Sequence, residues 1–284
     1  MKYILIIPAY NESDYIRQTL TSIINQTYKP NRVIVVNDSS IDNTADIVSS
    51  FSLEYPWIEL HTKKSHTIHL PGSKVTQAFN FGLSKIEDID NYDIIVKLDA
   101  DLILPTNYFE TIISKFQEDN TIGMVGGFAY IEKDGNWILE NLTDKDHIRG
   151  AFKAYRKECF KEIGGLKQAM GWDTVDELLC RYYNWKIITI PELKVKHLKP
   201  TGAKYDKKAR YKQGEAFYRL HYGFWITLIA ALKLALKKRK PLLTVDYLRG
   251  FMQAKQKNIP YLVTDEQGKF IRNYRWKKIK SKVL

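Results

Sequence analysis

Asp93-Ile94-Ile95-Val96-Lys97-Leu98-Asp99-Ala100-Asp101 sets the fold of this chain: a short apolar run that ends in two carboxylates. Apolar runs of this length, with little alternation, suit strands buried on both faces of a parallel sheet. Side chains alternate along extended backbone, so Asp99 and Asp101 share one side. The same pattern recurs toward the N-terminus. Tyr3 to Ile7, Val33-Ile34-Val35-Val36 and Ile58 to His61 read as three more strands. Between them, Asp14 to Asn25 carries Ile16, Leu20, Ile23 and Ile24 at helical spacing, with Ser13 as the expected N-cap. Thr44 to Phe51 and Lys74 to Ile86 read as two further helices, the latter with Val75, Ala78, Phe79 and Leu83 on one face. Alternating strands and helices predict an α/β fold with a mostly parallel central sheet flanked by helices. Ligands in such folds bind beyond the carboxyl ends of the strands.

Carboxylates gather at those ends. The first strand runs into Pro8-Ala9-Tyr10-Asn11-Glu12, the second into Asn37-Asp38-Ser39-Ser40-Ile41-Asp42-Asn43-Thr44, and the fourth into Asp99-Ala100-Asp101. Negative charge cannot hold a diphosphate unless a cation stands between them. Mg2+ or Mn2+ accepts carboxylate and phosphate oxygens together. Asp-x-Asp after a strand is also ordinary turn and capping chemistry, and that reading suits Asn11, Asp42 and Asn80.

Taken together, these motifs resemble the family 2 glycosyltransferases of GT-A fold. Ile6 to Glu12 is similar to the family's opening strand and loop. Val36 to Thr44 is similar to its D-D-G-S-x-D-x-T segment, with Asn37 and Ser39 departing from it. Gly72 to Gly82 resembles G-K-x-x-A-x-N-x-G, with one extra residue before the lysine, and Asp99-Ala100-Asp101 is the D-x-D signature. The resemblance runs from Ile4 to about Gly202. It implies that Pro8, Ala9, Tyr10, Glu12, Asp38, Lys74, Asp99 and Ala100 bind a nucleotide-sugar, with Asp38 toward the base and Lys74 toward the ribose or diphosphate. Asp101 would be the direct metal ligand. His197, at the end of Pro191-Glu192-Leu193-Lys194-Val195-Lys196-His197, would complete the metal site, although a lone histidine is also a common packed residue.

Inverting transfer needs a base for the acceptor hydroxyl. Met170-Gly171-Trp172-Asp173-Thr174-Val175-Asp176-Glu177-Leu178 resembles the family's G-W-x-x-E-D-x-x-L helix start, with Val175 in place of the usual Glu. That alignment puts Asp176 on the catalytic Asp; another register makes it Asp173 or Glu177. Acids at a helix start also simply suit its dipole. Trp172 and Glu177 are candidate acceptor contacts. The Q-x-x-R-W motif of processive relatives is not matched by Gln213-Gly214-Glu215-Ala216-Phe217, so one transfer per encounter is expected.

A chain of 284 residues suits one large catalytic domain with an appendage. Residues 1–202 are expected to form the GT-A domain and 203–284 a helical, basic C-terminal extension. The net charge of +12 favours anionic partners, and much of it lies in Lys237-Lys238-Arg239-Lys240 and Arg275 to Lys282. No nucleic-acid module appears, and ordered acidic motifs in a crevice argue against that partner. The apolar stretch Gly223 to Leu236 falls short of the roughly 20 residues of a spanning helix. With the basic run after it, it suits an anionic membrane interface. Two cysteines and no signal-like N-terminus imply a cytoplasmic protein, peripheral at the inner face of the cell membrane. Expected partners are a nucleotide-sugar, a UDP-sugar first, and a glycan or lipid-linked acceptor in cell envelope polysaccharide synthesis. Lys64 to Pro71 and the C-terminal region are expected to select that acceptor. The rival reading is a catalytically inactive nucleotide-sugar-binding scaffold.

Overall fold

The computed structural model describes residues 1–64, 73–140, 146–199 and 211–283. Most of the segment Lys64 to Pro71, expected to select the acceptor, and the boundary expected at Gly202 fall outside these residues. β1 (Tyr3–Ala9), β2 (Arg32–Asn37), β3 (Ile58–Thr62) and β4 (Ile94–Leu98) pair in parallel in the order β3-β2-β1-β4. β1, β2 and β4 are buried along nearly their whole length, which is why their sequences are apolar throughout. α1 (Ile16–Ile24), α2 (Thr44–Glu54) and α3 (Ser73–Leu83) are the helices between them.

α1 starts two residues later than expected, and Ser13 is not its cap. The Glu12 carbonyl accepts the N–H groups of Tyr15 and Ile16 at 3.0 and 2.8 Å. The Ser13 N–H is instead drawn across to Asp42 Oδ2 at 3.0 Å.

Beyond β4 the chain forms β5 (Leu102–Ile103), α4 (Tyr108–Glu118), β6 (Ile122–Lys133), β7 (Asn136–Leu139), β8 (Phe152–Arg156), α5 (Lys157–Glu162), α6 (Trp172–Tyr182) and β9 (Lys186–His197). The sheet continues from β4 in the order β8-β6-β9-β5. β8 is antiparallel to both β4 and β6, whereas β9 is parallel to β6. The parallel arrangement therefore describes the first half of the sheet, and the second half is mixed. β7 lies off this order, paired antiparallel to β6 through Asp134-Gly135, both at positive φ, a two-residue turn whose twist suits a hairpin. β5 pairs antiparallel with the end of β9, placing Leu102 opposite His197.

α7 (Lys212–Arg219), α8 (Gly223–Lys237), α9 (Leu243–Gln256) and α10 (Asp265–Val283) complete the chain. Phe217, Ile226, Phe251 and Ile271 of these helices, and Tyr222 between α7 and α8, join the same buried cluster as the sheet. α7 and α9 cross with main chain against main chain. A Cβ added at Gly214 would lie 1.8 Å from the Tyr247 carbonyl oxygen, and one at Gly250 would lie 2.0 Å from that of Tyr211. α7 also reaches Gly171, the residue before α6, through Ala216 and Leu220. Among the described residues no helix is long and apolar enough to cross a membrane.

Candidate active site

One cleft of about 320 Å³ opens at the carboxyl ends of β1, β2 and β4. Its lining contains Pro8, Ala9, Tyr10, Glu12, Asp38, Lys74, Asp99, Ala100 and Asp101, so every residue expected at the donor borders one space. A larger hollow of about 390 Å³, between α6 and the connection from α9 to α10, holds none of them. Tyr10 is 43% exposed, and Lys74 Nζ stands 5.7 Å above its ring. Asp38 is buried and accepts from Lys63 Nζ at 3.0 Å.

The loops after β1 and β2 are stitched together. Asn11 Oδ1 accepts the Ile41 N–H, Ser40 Oγ accepts the Asn11 N–H, and Thr44 Oγ1 accepts the Glu12 N–H. Asp42 Oδ1 receives the Thr44 N–H and hydroxyl. The turn reading of Asn11 and Asp42 agrees with these bonds. Ser39, which replaces a glycine of the motif, holds a left-handed φ of 64°. That conformation strains a side-chain-bearing residue by roughly 1–2 kcal/mol.

Glu12, Asp99 and Asp101 bring negative charge to one wall. Burial and the neighbouring Asp101 and Asp99 raise the Glu12 pKa, against the pull of Lys199. Glu12 Oε1 accepts from Lys199 Nζ at 2.9 Å, and its buried Oε2 has no hydrogen-bond partner among the described residues. The Lys97 ammonium closes on Asp99. His197 Nε2 lies 3.4 Å from Asp101 Oδ2, because the pairing of β5 with β9 and the Leu198 N–H bond to the Asp101 carbonyl bring the two strand ends together. Burial opposes protonation of His197, but Asp101 and Glu140 outweigh it and push its pKa up to about 9.

These groups fit a hard divalent cation. An orphaned carboxylate oxygen, repelling acids and an imidazole already turned to Asp101 are the surroundings such an ion satisfies. Among the described residues no three donors converge tightly enough to chelate an ion unaided. Asp101 with His197 is a two-donor set, which suits an ion shared with substrate phosphates.

A second cluster lies at the start of α6. Asp176 is 1% exposed; Lys153 Nζ donates to its two oxygens at 2.9 and 3.1 Å and the Tyr155 hydroxyl at 2.6 Å. Burial alone would discharge Lys153, but Asp176, Glu177 and Asp173 hold its pKa above the ordinary value. Glu177, 7% exposed, accepts the Ile148 N–H and faces His147 Nδ1 at 3.1 Å. Asp173 differs: its side chain is 35% exposed, with His147 Nε2 at 3.8 Å. Trp172 is 6% exposed and sits under two ammonium groups, Lys97 at 5.3 Å and Lys153 at 5.8 Å from its ring. The pairing of β4 with β8 sets Lys97 beside Lys153, so one tryptophan links the D-x-D strand to α6. Gly150 presses on this ring; a Cβ there would come within 2.7 Å of Trp172 Cζ2.

Lys97, Lys153, Tyr155, His147 and Lys199 escaped the reading of the sequence. Only Lys199 carried a local signal, two residues past His197, just beyond the end of a strand that leads to the cleft.

Residues 4–168, more than half of the chain, match the family described as Glycosyl transferase family 2. The chain belongs to that family. Among curated relatives, this family 2 glycosyltransferase is 30% identical over 212 residues to the probable glycosyltransferase YdaM of Bacillus subtilis, covering 64% of this chain and 47% of YdaM. It is 24% identical to the poly-beta-1,6-N-acetyl-D-glucosamine synthase of Staphylococcus epidermidis, covering 60% and 41%. The match thus spans about half the length of these relatives. Two solved structures share its GT-A fold at 17% identity. They are the mannosyltransferase PcManGT of Pyrobaculum calidifontis in complex with GDP-Man and Mn2+ (TM-score 0.59; 98% of this chain, 80% of that one) and S. aureus TarS in complex with UDP-GlcNAc (TM-score 0.58; 89% and 73%). The expected α/β GT-A fold is therefore the observed one.

Proposed function

We propose that this family 2 glycosyltransferase moves a sugar from a UDP-sugar to a hydroxyl of a glycan or lipid-linked acceptor, with inversion in a single displacement. The observation that carries this reading is the convergence of the donor residues on one acidic cleft. Asp38 faces the base, Asp99 the ribose, and the ammonium groups of Lys74 and Lys199 the diphosphate. Asp101 and His197 would hold Mg2+ or Mn2+, which supplies neutralising charge for the leaving diphosphate when bound. The nucleotide-sugar complexes of PcManGT and TarS support a nucleotide-sugar donor, and TarS supports the choice of uridine.

The acceptor oxygen attacks the anomeric carbon, its proton passes to a carboxylate, and the bond from that carbon to the diphosphate oxygen breaks. We assign that carboxylate to Asp173. Alignment favours Asp176, but its burial and its bonds to Lys153 and Tyr155 leave it out of reach of an acceptor hydroxyl. Asp176 then acts by position: through Lys153, whose ammonium also binds the Asp173 carbonyl at 2.6 Å, it steadies the turn that presents Asp173. Glu177 serves the same turn through His147, and Trp172 forms a wall of the acceptor side.

Thermal-shift titration with nucleoside diphosphates and UDP-sugars, with and without Mn2+, tests the reading. UDP should raise the melting temperature more with Mn2+ than with chelator. A folded sample that responds to no nucleotide would overturn it, and donor binding without turnover by any glycan or lipid-linked acceptor would favour the inactive scaffold.

A further inference from the structure

We infer that α8 and α9 form a docking face for an anionic lipid surface, on which the chain lies without crossing it. Half of the exposed large apolar side chains among the described residues fall between Phe224 and Met252. On α8, Trp225, Leu232 and Leu236 are 66%, 45% and 70% exposed, and their spacing of seven and four places them on one face. At the start of α9 and along it, Leu242, Val245 and Met252 are 77%, 47% and 51% exposed, again at spacings of one helical face. The opposite sides of both helices are already filled: Ile226, Ala231 and Ala235 on α8, and Tyr247, Phe251 and Ala254 on α9, are buried. The outward stripes are therefore surplus to the core.

Charge decides what covers them. From Gly223 to Lys257 the chain has eight basic residues and a single acid, Asp246, which is buried. Four of the cations are consecutive, Lys237-Lys238-Arg239-Lys240, and form the turn between the two stripes, while Arg249 shares the outward face of α9 with Val245. Apolar side chains bordered by lysine and arginine match a bilayer surface, where they enter beneath headgroups whose phosphates meet the cations. A second copy of this chain would bring like charge against like.

This inference deepens the proposed function by naming the surface on which a lipid-linked acceptor is met. Vesicle binding in the absence of donor, metal and acceptor reads it separately from transfer. The full chain would be floated with vesicles of phosphatidylcholine alone and of phosphatidylcholine with phosphatidylglycerol. Binding should be about tenfold tighter to the anionic vesicles, with a blue shift of tryptophan emission. Trp225→Ser with Leu236→Ser should weaken it about tenfold, and Lys237→Ser with Lys240→Ser should erase the preference for anionic lipid, both at an unchanged melting temperature. Equal or absent binding to the two vesicles would overturn the inference. So would light scattering that shows a dimer which Trp225→Ser with Leu236→Ser makes monomeric, since the stripes would then join two copies.

Discussion

Asp173 and Asp176 are one helical turn apart, and the same carboxylate meets opposite surroundings at the two positions. Asp176 is sealed against Lys153 and Tyr155, whereas Asp173 retains access to water. Asp176→Asn leaves a buried ammonium short of a partner and should destabilise the fold by about 3–5 kcal/mol, measured by denaturant unfolding. Asp173→Asn should keep the melting temperature and the donor affinity while lowering kcat by about 10²–10⁴-fold. If Asp176→Asn proved as stable as the parent yet inert, and Asp173→Asn fully active, the base would be Asp176. Asp101→Ala should abolish the part of UDP binding that Mn2+ enhances, read as loss of the Mn2+-dependent rise in melting temperature that UDP gives the parent. Gly150→Ala tests the Trp172 wall: its Cβ would push the ring, lowering kcat with little change in donor KM.

Between elements, hydrogen bonds join the loops after β1 and β2 and hold the donor cleft open. Asp42 is central to that seam. Burial raises its pKa, but the bonds from Thr44 and Ser13 together outweigh it and bring it down to about 2, below the ordinary 3.8. A pKa depressed by folding stabilises above the unfolded value, so this contribution is full above about pH 4 and lost as pH falls through about 2. Asp42→Asn should therefore be less stable than the parent at neutral pH and should show a shallower loss over that acid range, followed by circular dichroism. The first four strands, their helices and the residues that line the cleft were legible because each is encoded within a dozen neighbouring residues. The cluster at the start of α6 was not. Which of Asp173 and Asp176 is buried depends on Lys153 and Tyr155, about twenty residues upstream on β8, and no local pattern reports that meeting. Lys97 was hidden inside an apolar run, although its ammonium reaches past the strand end to Asp99. The Asp134-Gly135 hairpin was readable from its residues and passed unread.

At the scale of the whole molecule, catalytic chemistry and the C-terminal helices share one framework. Expectation divided the chain near residue 202, where composition changes. Packing runs across that division: α10 lies along α6, where Phe270 meets Tyr182 edge to face and Gln267 donates to the Tyr183 hydroxyl. Gly214→Val would drive a side chain into the Tyr247 carbonyl and should cost about 3 kcal/mol or leave α7 and α9 undocked, seen as a second, earlier unfolding step or a lower single transition. The crossing has a further consequence. Side-chain contacts can be retuned by exchanging one residue for another, but two backbones in touch set a distance that substitution cannot adjust. α7 abuts Gly171 at the threshold of Asp173, and α9 bears an outward apolar face, so the glycine pair works as a fixed calliper between them. If Asp173 is the base, as proposed, and α9 is seated on a plane, that carboxylate would stand at one fixed height above it, favouring acceptors whose hydroxyl stands at the same height.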